Sequence, residues 1–261
     1  MKQITDINQL REIQMGILDD VHRFCEAHGL TYSLSSGTLI GAIRHQGYIP
    51  WDDDIDIYMM RNDYEQFLKT YHDQQGRYRV LDPTKEKHYY YTFAKVVDLH
   101  TKMVEKETEG YEIGVYIDVF PVDYVTDDMK MRKRIFRLKK LLYKIRRCKI
   151  SLSNPLHSRL AYWCYRSLPI SVNMLNKWIR CLIIRKKPTN TLCHMTEAGS
   201  TIDGCFPAVA MKKMVDMKFE DRLYKGMIGY DVYLSRNYGD YMKLPPENQR
   251  TTHKFEAYWI D

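Results

Sequence analysis

The chain has 261 residues, 44% of them hydrophobic, and a formal net charge of +7 at pH 7. This apolar content is enough for a hydrophobic core, and the length fits one domain with a large insertion or two small domains. No run of about 18 apolar residues is present, which excludes a transmembrane helix, and the first residues lack the apolar stretch of a signal peptide. We therefore expect the six cysteines, which form no C-x-x-C pair, to be reduced thiols of a cytosolic protein.

The chain begins with a predicted amphipathic helix that leads into a short strand. Its apolar residues recur at steps of three and four: Leu10, Ile13, Ile17, Val21 and Phe24. Gly29 is well placed to end this helix, because glycine readily adopts the left-handed conformation of a helix C-terminus. Residues 30–35 then predict a strand that ends in a turn of small residues.

This turn, Ser36-Gly37-Thr38, opens a short helix. Backbone N–H groups at the start of a helix have no intrahelical partners and favour an anion. We therefore expect Ser36, Gly37 and Thr38 to bind a phosphate group. Arg44 follows about two helical turns later. It either grips a phosphate bidentately or forms a salt bridge to the acidic residues that come next.

An acidic segment, residues 52–56, leads into a predicted strand. Because side chains alternate between the two faces of a strand, Asp52, Asp54 and Asp56 point one way and the isoleucines between and after them point into the core. Asp54 and Asp56 are then near neighbours whose mutual repulsion requires a cation. Oxygen-rich sites of this kind suit Mg²⁺ or Mn²⁺, so we predict a metal site. The alternative is a solvated acidic turn.

The next region predicts a helix and a series of strands. Asn62, with Glu65 three residues later, resembles a helix cap. The buried face of this helix comprises Tyr64, Phe67, Leu68 and Tyr71. Strands are predicted over residues 79–81, 89–97 and 102–108. We expect this helix and the first helix of the chain to supply packing rather than chemistry.

The strand predicted over residues 114–123 contains an isolated carboxylate, Asp118. An aspartate inside such an apolar strand is costly unless it has a partner or a metal. Asp123, after Pro121, is expected at a turn or a helix cap, or as an additional member of the site.

From residue 127 to about 187 the composition changes to a basic helical region. Eleven cations and no acidic residue occur in residues 130–149: Lys130, Arg132, Lys133, Arg134, Arg137, Lys139, Lys140, Lys144, Arg146, Arg147 and Lys149. The apolar stripe of the same helix comprises Ile135, Leu138, Leu142 and Ile145. Such a helix favours an anionic membrane surface or a lipid-linked acceptor. A solvated face is the next interpretation, and nucleic acid is the last, because no recognisable nucleic-acid module is present.

Two further helices are predicted over residues 155–168 and 172–185, where aromatic and basic residues suit a membrane interface. After them, residues 214–219 alternate as a strand and residues 231–238 predict a short helix that ends at Gly239.

Several of these segments together resemble the signature of the LicD family. The segments that carry the resemblance are residues 37–45, 47–56, 117–121 and 238–246, with Arg250 and His253 beyond the last one. LicD proteins are phosphotransferases with a nucleotidyltransferase-like core. Their best-known members move phosphocholine from CDP-choline to cell-surface glycans, and fukutin-related enzymes are distant relatives.

The resemblance implies roles for individual residues. Asp54, Asp56 and Asp118 would hold Mg²⁺ or Mn²⁺, and Asp118 or Asp56 would act as general base. For Lys95, which lies in an apolar strand, the resemblance favours a phosphate contact over an edge or snorkelling position. Trp51 either packs in the core or faces the choline head group, which a ring attracts through cation–π contact.

The implied function is metal-dependent transfer of phosphocholine from CDP-choline to a sugar hydroxyl of a lipid-linked glycan precursor (teichoic acid, lipopolysaccharide or capsule), with release of CMP. One alternative is transfer of another CDP-linked alcohol phosphate, such as ribitol, glycerol or ethanolamine. Others are a glycosyltransferase that uses the Asp-x-Asp site and a non-catalytic membrane adaptor.

The predicted fold is α+β: a nucleotidyltransferase-like mixed sheet flanked by helices, with a basic helical insertion. We expect a catalytic core over residues 1–126, the insertion over 127–190, and a C-terminal segment, 191–261, that packs back on the core. The expected location is cytoplasmic, with peripheral contact to the anionic inner face of the cell membrane through residues 130–149 and no specific nucleic-acid partner.

Overall fold

The computed structural model describes residues 1–86, 89–104, 113–151, 156, 158–185, 187–197, 199–250 and 256–260. The helices in these ranges are α1 (Ile7–His28), α2 (Ser36–Arg44), α3 (Arg61–Thr70), α4 (Met129–Ile150), α5 (Arg159–Ser167), α6 (Val172–Ile183) and α7 (Tyr230–Tyr238). The strands are β1 (Lys2–Ile4), β2 (Tyr32–Leu34), β3 (Asp56–Met60), β4 (Tyr78–Leu81), β5 (Ala94–Asp98), β6 (Thr101–Val104), β7 (Tyr116–Val125), β8 (Thr191–His194), β9 (Phe206–Pro207), β10 (Met214–Phe219), β11 (Arg222–Met227) and β12 (Glu256–Trp259).

A mixed sheet of nine described strands forms the centre of the molecule. Its main path runs β10-β11-β2-β3-β7-β5-β4, with β8 beside the second half of β7 and β9 beside β8. The neighbours β3 and β7 are parallel, and their register places Asp56 opposite Asp118. A separate antiparallel sheet joins β1, β12 and β6. The predicted α+β class, a mixed sheet flanked by helices, is confirmed.

Helix α1 agrees with the sequence pattern. It begins after Asp6, whose carboxylate accepts a hydrogen bond from Asn8 N–H, and it ends at Gly29, whose φ is 63°. All five predicted apolar positions are buried in the main core. The helix packs on β5 and β7, so it is anchored on two strands that border the site described below.

Helix α3 and Asp123 depart from the predictions. The helix begins at Arg61 without a side-chain cap, so Asn62 lies in its first turn and the predicted cap is wrong. Asp123 lies inside β7, not at a turn, and accepts hydrogen bonds from Arg61 Nε (2.8 Å) and Nη2 (2.5 Å). The predicted buried face of α3 is confirmed for Tyr64, Phe67, Leu68 and Tyr71.

Two predicted strands are shorter than expected. The strand predicted over 89–97 is confined to β5, because Arg146 donates to the carbonyl oxygens of residues 89–91 at 2.7–3.5 Å. Backbone oxygens bound by a guanidinium are satisfied without a strand partner. The strand predicted over 102–108 is observed as β6, and residues 105–108 lie outside the described residues.

Helices α4, α5 and α6 form the predicted basic helical region, and the domain boundaries at residues 126 and 190 remain predictions. A second hydrophobic cluster joins α4 and α6 to β7 and β8: Val125, Leu142, Tyr143, Ile145, Leu175, Ile179, Ile183, Cys193, Met195 and Cys205. Part of the start predicted for α5, residues 155 and 157, lies outside the described residues. In the described ranges no helix is both long enough and apolar enough to cross a bilayer.

Three cations of α4, Arg132, Lys139 and Arg146, face the interior. Lys139 Nζ donates to the carbonyl oxygens of Glu197 (2.7 Å) and Ser200 (2.9 Å), and burial lowers the pKa of Lys139 to about 8. The exposed cations of this helix are Lys130, Lys133, Arg134, Arg137, Lys140, Lys144 and Arg147. The sequence count therefore overstates the surface charge of α4, because part of its charge supports the core.

Candidate active site

Three aspartates line one cavity of about 300 Å³ beside β3 and β7. Asp56 is the first residue of β3, Asp54 lies two residues earlier in the preceding loop, and Asp118 is the register partner of Asp56 on β7. Ile55 and Ile57 are fully buried on the other face. Asp54 and Asp56 therefore lie on one side, as predicted from the sequence, and the neighbouring strand β7 contributes the third carboxylate, Asp118.

Side chains of α1 and α2 hold in place the loop that leads into β3, residues 49–55, which we call the acidic loop. The guanidinium of Arg11 donates to three carbonyl oxygens of the loop at 2.7–3.1 Å, and Gln14 Nε2 donates to the carbonyl of Asp53 at 2.8 Å. The hydroxyl of Thr38 accepts a hydrogen bond from Asp56 N–H at 2.9 Å. These bonds fix the backbone, so the carboxylates are held near one another despite their repulsion.

Burial and the nearby charges shift the pKa of one of the three aspartates, and a second one forms an ion pair. Burial, together with the neighbouring charges of Asp54 and Asp118, raises the pKa of Asp56 well above its ordinary value. Lys95 Nζ lies 2.6 Å from Asp118 Oδ1 and 3.3 Å from the ring centroid of Tyr116. Lys95 is 1% exposed and its partner Asp118 is half-buried. Lys95 is therefore a buried ammonium paired with a carboxylate rather than an edge or snorkelling residue.

The donor set of the cavity suits a hard divalent cation. In the described ranges, no three His, Cys, Asp or Glu side chains form a complete metal-binding cluster. Mg²⁺, however, is commonly held by one or two carboxylates, with waters and substrate phosphates completing its octahedral shell. Asp54 and Asp56 fit such a partial site. Burial first, and then the neighbouring negative charges, raise the pKa of Asp56, and a divalent ion relieves the repulsion between these charges.

The predicted phosphate turn is only partly open to the cavity. Ser36 lines the cavity with a φ of 48°, a left-handed conformation uncommon for serine, and its N–H lies 3.3 Å from the Tyr233 hydroxyl. A Cβ on Gly37 would lie 2.6 Å from Asp52 Oδ2, so glycine allows that carboxylate to approach. Thr38 is buried, with its hydroxyl bound to the acidic loop. The structure thus brings Ser36 to the cavity, while Gly37 and Thr38 support the turn.

Arg44 and Trp51 lie outside the cavity lining. Arg44 Nη1 donates to the carbonyl oxygens of Tyr241 (2.5 Å) and Lys243 (3.3 Å), which ties α2 to the C-terminal segment. Among the described residues, Arg44 forms no ion pair with the acidic segment. Trp51 is half-buried against the main core, and the Arg250 guanidinium lies 5.0 Å from its ring centroid. Their donor-binding roles remain predictions, and His253 lies outside the described residues.

The opposite wall of the cavity comes from residues that sequence reasoning did not assign to the site: Tyr58, His194, Glu197, Tyr233, Asn237 and Tyr238. Burial and the nearby charges of Lys139 and Arg61 lower the pKa of His194 to about 3, so its imidazole is neutral at neutral pH. Its Nε2 lies 2.9 Å from Thr196 Oγ1. The pairing of β8 with β7 brings His194 to the cavity, and no spacing in the sequence indicates that long-range contact.

The mixed sheet and the paired carboxylates at the start of one strand, joined by a third from its parallel neighbour, define a nucleotidyltransferase-like protein. A family model described as LicD/FKTN/FKRP, nucleotidyltransferase domain, matches residues 29–159. The chain therefore belongs to the LicD family. The matched region contains the Ser36-Gly37-Thr38 turn, the acidic segment, β7 and all of α4.

Curated relatives extend this assignment to the whole chain. The chain is 30% identical over 276 aligned residues to the lipopolysaccharide cholinephosphotransferase LicD of Haemophilus influenzae, with 100% of each chain covered. It is 32% identical over 111 residues to an uncharacterized protein of Rickettsia typhi, covering 41% of this chain and 33% of that one. It is also 47% identical over 47 residues to an uncharacterized protein of Rickettsia prowazekii, covering 18% of each. The alignment with the Haemophilus relative therefore includes residues 127–261 as well as the region that the family model matches.

Proposed function

We propose that this chain transfers phosphocholine from CDP-choline to a sugar hydroxyl of a cell-surface glycan precursor and releases CMP. The observation that carries the proposal is the cavity lined by Asp54, Asp56 and Asp118 in a chain of the LicD family. The name of the Haemophilus relative supports choline as the head group and lipopolysaccharide as an acceptor class. Teichoic acid and capsule precursors are acceptors of the same chemical kind.

The proposed reaction is one displacement at phosphorus. The acceptor oxygen forms a bond to the phosphorus that carries choline, the bond from that phosphorus to the bridging oxygen breaks, and CMP leaves with the electron pair. The hydroxyl proton passes to a carboxylate, Asp118 or Asp56, both of which line the cavity. Ser36 is the first candidate for a donor phosphate contact, because it lines the cavity. A phosphate there would replace the Tyr233 hydroxyl, to which the Ser36 N–H donates at 3.3 Å.

We propose Mg²⁺ or Mn²⁺ as the cofactor, held by Asp54 and Asp56 with Asp118 beside them. A divalent ion there supplies positive charge against the diphosphate of the donor. Since these carboxylates provide only part of an octahedral shell, the donor phosphates complete it. Metal and donor are therefore expected to bind cooperatively.

Calorimetry measures this cooperativity directly. CDP-choline is expected to bind about 5–150-fold more tightly with Mg²⁺ than with a chelator, the usual range for coupled ligands. In Asp54→Asn this difference is expected to shrink while the folded state persists. Equal, strong binding of CDP-choline with and without metal would contradict the metal assignment and leave the donor assignment in place.

A panel of donors separates the alternative functions. If the protein prefers CDP-ribitol, CDP-glycerol or CDP-ethanolamine, the proposed active site stands and the transferred group is a different alcohol phosphate. Release of UDP from a nucleotide-sugar indicates a glycosyltransferase instead. If no CDP compound binds or turns over, the phosphotransferase proposal fails, and a membrane adaptor becomes the better interpretation.

We also propose that the enzyme works at the cytoplasmic face of the membrane, bound peripherally through the exposed side of residues 130–149. Exposed cations cover that side of α4, and the neighbouring α5 exposes Leu160 (77%) and Trp163 (63%). Each cation near an anionic leaflet contributes about 1 kcal/mol. Aromatic side chains favour the interface itself.

Sedimentation with vesicles tests this contact. The wild-type protein is expected to bind phosphatidylglycerol-containing vesicles in preference to phosphatidylcholine vesicles. A triple variant, Lys133→Glu, Arg137→Glu and Lys140→Glu, reverses three charges on one helix face and is expected to weaken binding by at least about tenfold. Lys212→Glu, at an exposed lysine outside the insertion, is the control. Undiminished binding of the triple variant would contradict the proposed surface.

A further inference from the structure

A second, larger cavity lies between the core and the basic helices. One wall is formed by α3 and residues 83–86 and 89–92, and the other by α4, α5 and α6. We call this cavity the helical groove. Its volume is about 1150 Å³, which exceeds the range of about 300–1,000 Å³ typical of small-molecule sites. Asp54, Asp56 and Asp118 do not line it, so it is a feature separate from the carboxylate cavity.

Positive charge dominates the helical groove. Its charged lining within the described residues comprises the carboxylate Glu86 and six cations: Arg61, Lys85, Lys149, Arg166, Lys177 and Arg180. Lys149 and Arg166 donate to neutral carbonyl oxygens, those of Leu168 (2.7 Å) and Cys148 (3.0 Å) respectively. Lys177 forms no ion pair with any described residue. Three positive charges of the groove, of which Lys149 is half-buried and Arg166 and Lys177 are exposed, are therefore not balanced by a described carboxylate. A cleft lined mainly by one sign of charge attracts a ligand of the opposite sign.

The rest of the lining carries rings and groups that match a saccharide. Tyr89 and Tyr91 line the groove with aromatic rings, and Asn173 presents an amide that both donates and accepts hydrogen bonds. The oxygen of Asn176 accepts from Arg146 Nε at 2.7 Å, which leaves its amide NH₂ group as a donor toward the groove. Flat rings pack against the C–H faces of sugars, and amides pair with sugar hydroxyls. Asn173 and Lys177 are one turn apart on α6 and both line the groove. This combination fits a sugar chain that carries phosphate or carboxylate groups.

The wall between the two cavities is one or two side chains thick. Thr196 lines the helical groove, and its hydroxyl lies 2.9 Å from Nε2 of His194, which lines the carboxylate cavity. Tyr91 lines the groove with its ring centroid 4.2 Å from Lys95 Nζ, and that ammonium lies 2.6 Å from Asp118. The side chains of Tyr91 and Lys95 therefore lie between a ligand in the groove and Asp118, so the two cavities are close enough to hold different parts of one extended substrate.

We infer that the helical groove is the acceptor subsite and binds an anionic oligosaccharide: the phosphate- or carboxylate-bearing sugars that flank the sugar receiving phosphocholine. The role of this glycan as the acceptor rests on the proposed function, whereas its binding to the groove does not require the donor. In this assignment the insertion supplies one wall of a substrate site. The uncompensated charges at Lys149, Arg166 and Lys177 set the preference for an anionic glycan over a neutral one.

Calorimetry without any donor tests the groove. The probe is the phosphorylated core oligosaccharide released from lipopolysaccharide by mild acid, and the comparison ligand is the same oligosaccharide after removal of its phosphates. The wild-type protein is expected to bind the phosphorylated probe at least about tenfold more tightly. Lys177→Glu is expected to weaken that binding by about tenfold, because it turns an attraction into a repulsion. Lys212→Glu, at an exposed lysine outside the groove, is expected to bind like wild type.

Each contrary result has a definite meaning. Equal binding of the two oligosaccharides, or unchanged binding in Lys177→Glu, overturns the assignment. The protein could instead bind anionic vesicles or duplex DNA, but no oligosaccharide. If Lys177→Glu weakens that binding, the groove is a site for another polyanion, and the oligosaccharide assignment is overturned as well. A separate titration with CDP-choline and Mg²⁺ reports on the proposed function. If the wild-type protein binds the oligosaccharide and not the CDP donor, the proposed function fails and the groove remains an anionic-glycan site.

Discussion

Asp56→Asn is expected to lower kcat/KM for phosphocholine transfer by roughly 10²–10⁴-fold, and Asp54→Asn by a similar factor. The amide keeps the shape of the side chain but offers a hard cation neither its charge nor a second carboxylate oxygen. Both variants are expected to unfold at an equal or higher temperature than wild type. The reason is that repulsion by Asp54 and Asp118 contributes to the raised pKa of Asp56, and the amide removes one of the repelling charges.

Asp53→Asn is the matched control for these variants. Asp53 belongs to the same loop but is buried away from the cavity lining, with its carbonyl held by Gln14. It is expected to retain most of its turnover with CDP-choline. Wild-type turnover in both Asp54→Asn and Asp56→Asn would remove the carboxylate pair from the mechanism. An equal loss in all three variants, with a lower unfolding temperature, would instead point to collapse of the loop.

The orientation of these carboxylates is the part of the site that local sequence could predict. Strand alternation is a local property, and it predicts Asp54 and Asp56 on one side with the isoleucines buried on the other. Both carboxylates line the cavity and both isoleucines are buried, although only Asp56 lies within β3 and Asp54 belongs to the loop before it. Asp118 required an additional argument, the cost of a carboxylate in an apolar strand. The pairing of Asp118 with Lys95 depends on the register of β5 on β7, which places these two residues opposite each other. That register is set by the whole sheet, and no residue spacing encodes it.

The sequence of α4 contains a further signal, which concerns its buried cations. Arg132, Lys139 and Arg146 are seven residues apart, so they share one helix face with Leu142. Cations at core-facing positions indicate buried hydrogen-bond donors rather than a solvated surface. Lys139 and Arg146 donate to carbonyl oxygens that lie far away along the chain, those of Glu197, Ser200 and residues 89–91. The sequence could therefore have placed these cations inside but could not have shown that they shape the walls of both cavities.

Arg61→Met is expected to lower the free energy of unfolding by about 3–5 kcal/mol near pH 8, the usual cost of removing one partner of a buried ion pair. The side chain of Asp123 is 1% exposed and accepts two hydrogen bonds from this guanidinium. Methionine keeps most of the volume but leaves the carboxylate buried without its cation. Urea unfolding of the wild-type and variant proteins measures the difference. The double variant Arg61→Met, Asp123→Leu removes the stranded charge and is expected to recover much of the loss.

The pH dependence separates this ion-pair explanation from a simple loss of packing. Burial raises the pKa of Asp123, and the hydrogen bonds and charge of Arg61 offset part of that rise. Without Arg61 the folded-state pKa rises further above the unfolded value of about 4. A carboxyl group with a raised folded-state pKa contributes its full stability below the unfolded pKa and loses it as pH increases through the folded value. The deficit of Arg61→Met is therefore expected to be small near pH 4 and to grow toward pH 8, whereas lost packing alone would give the same deficit at every pH.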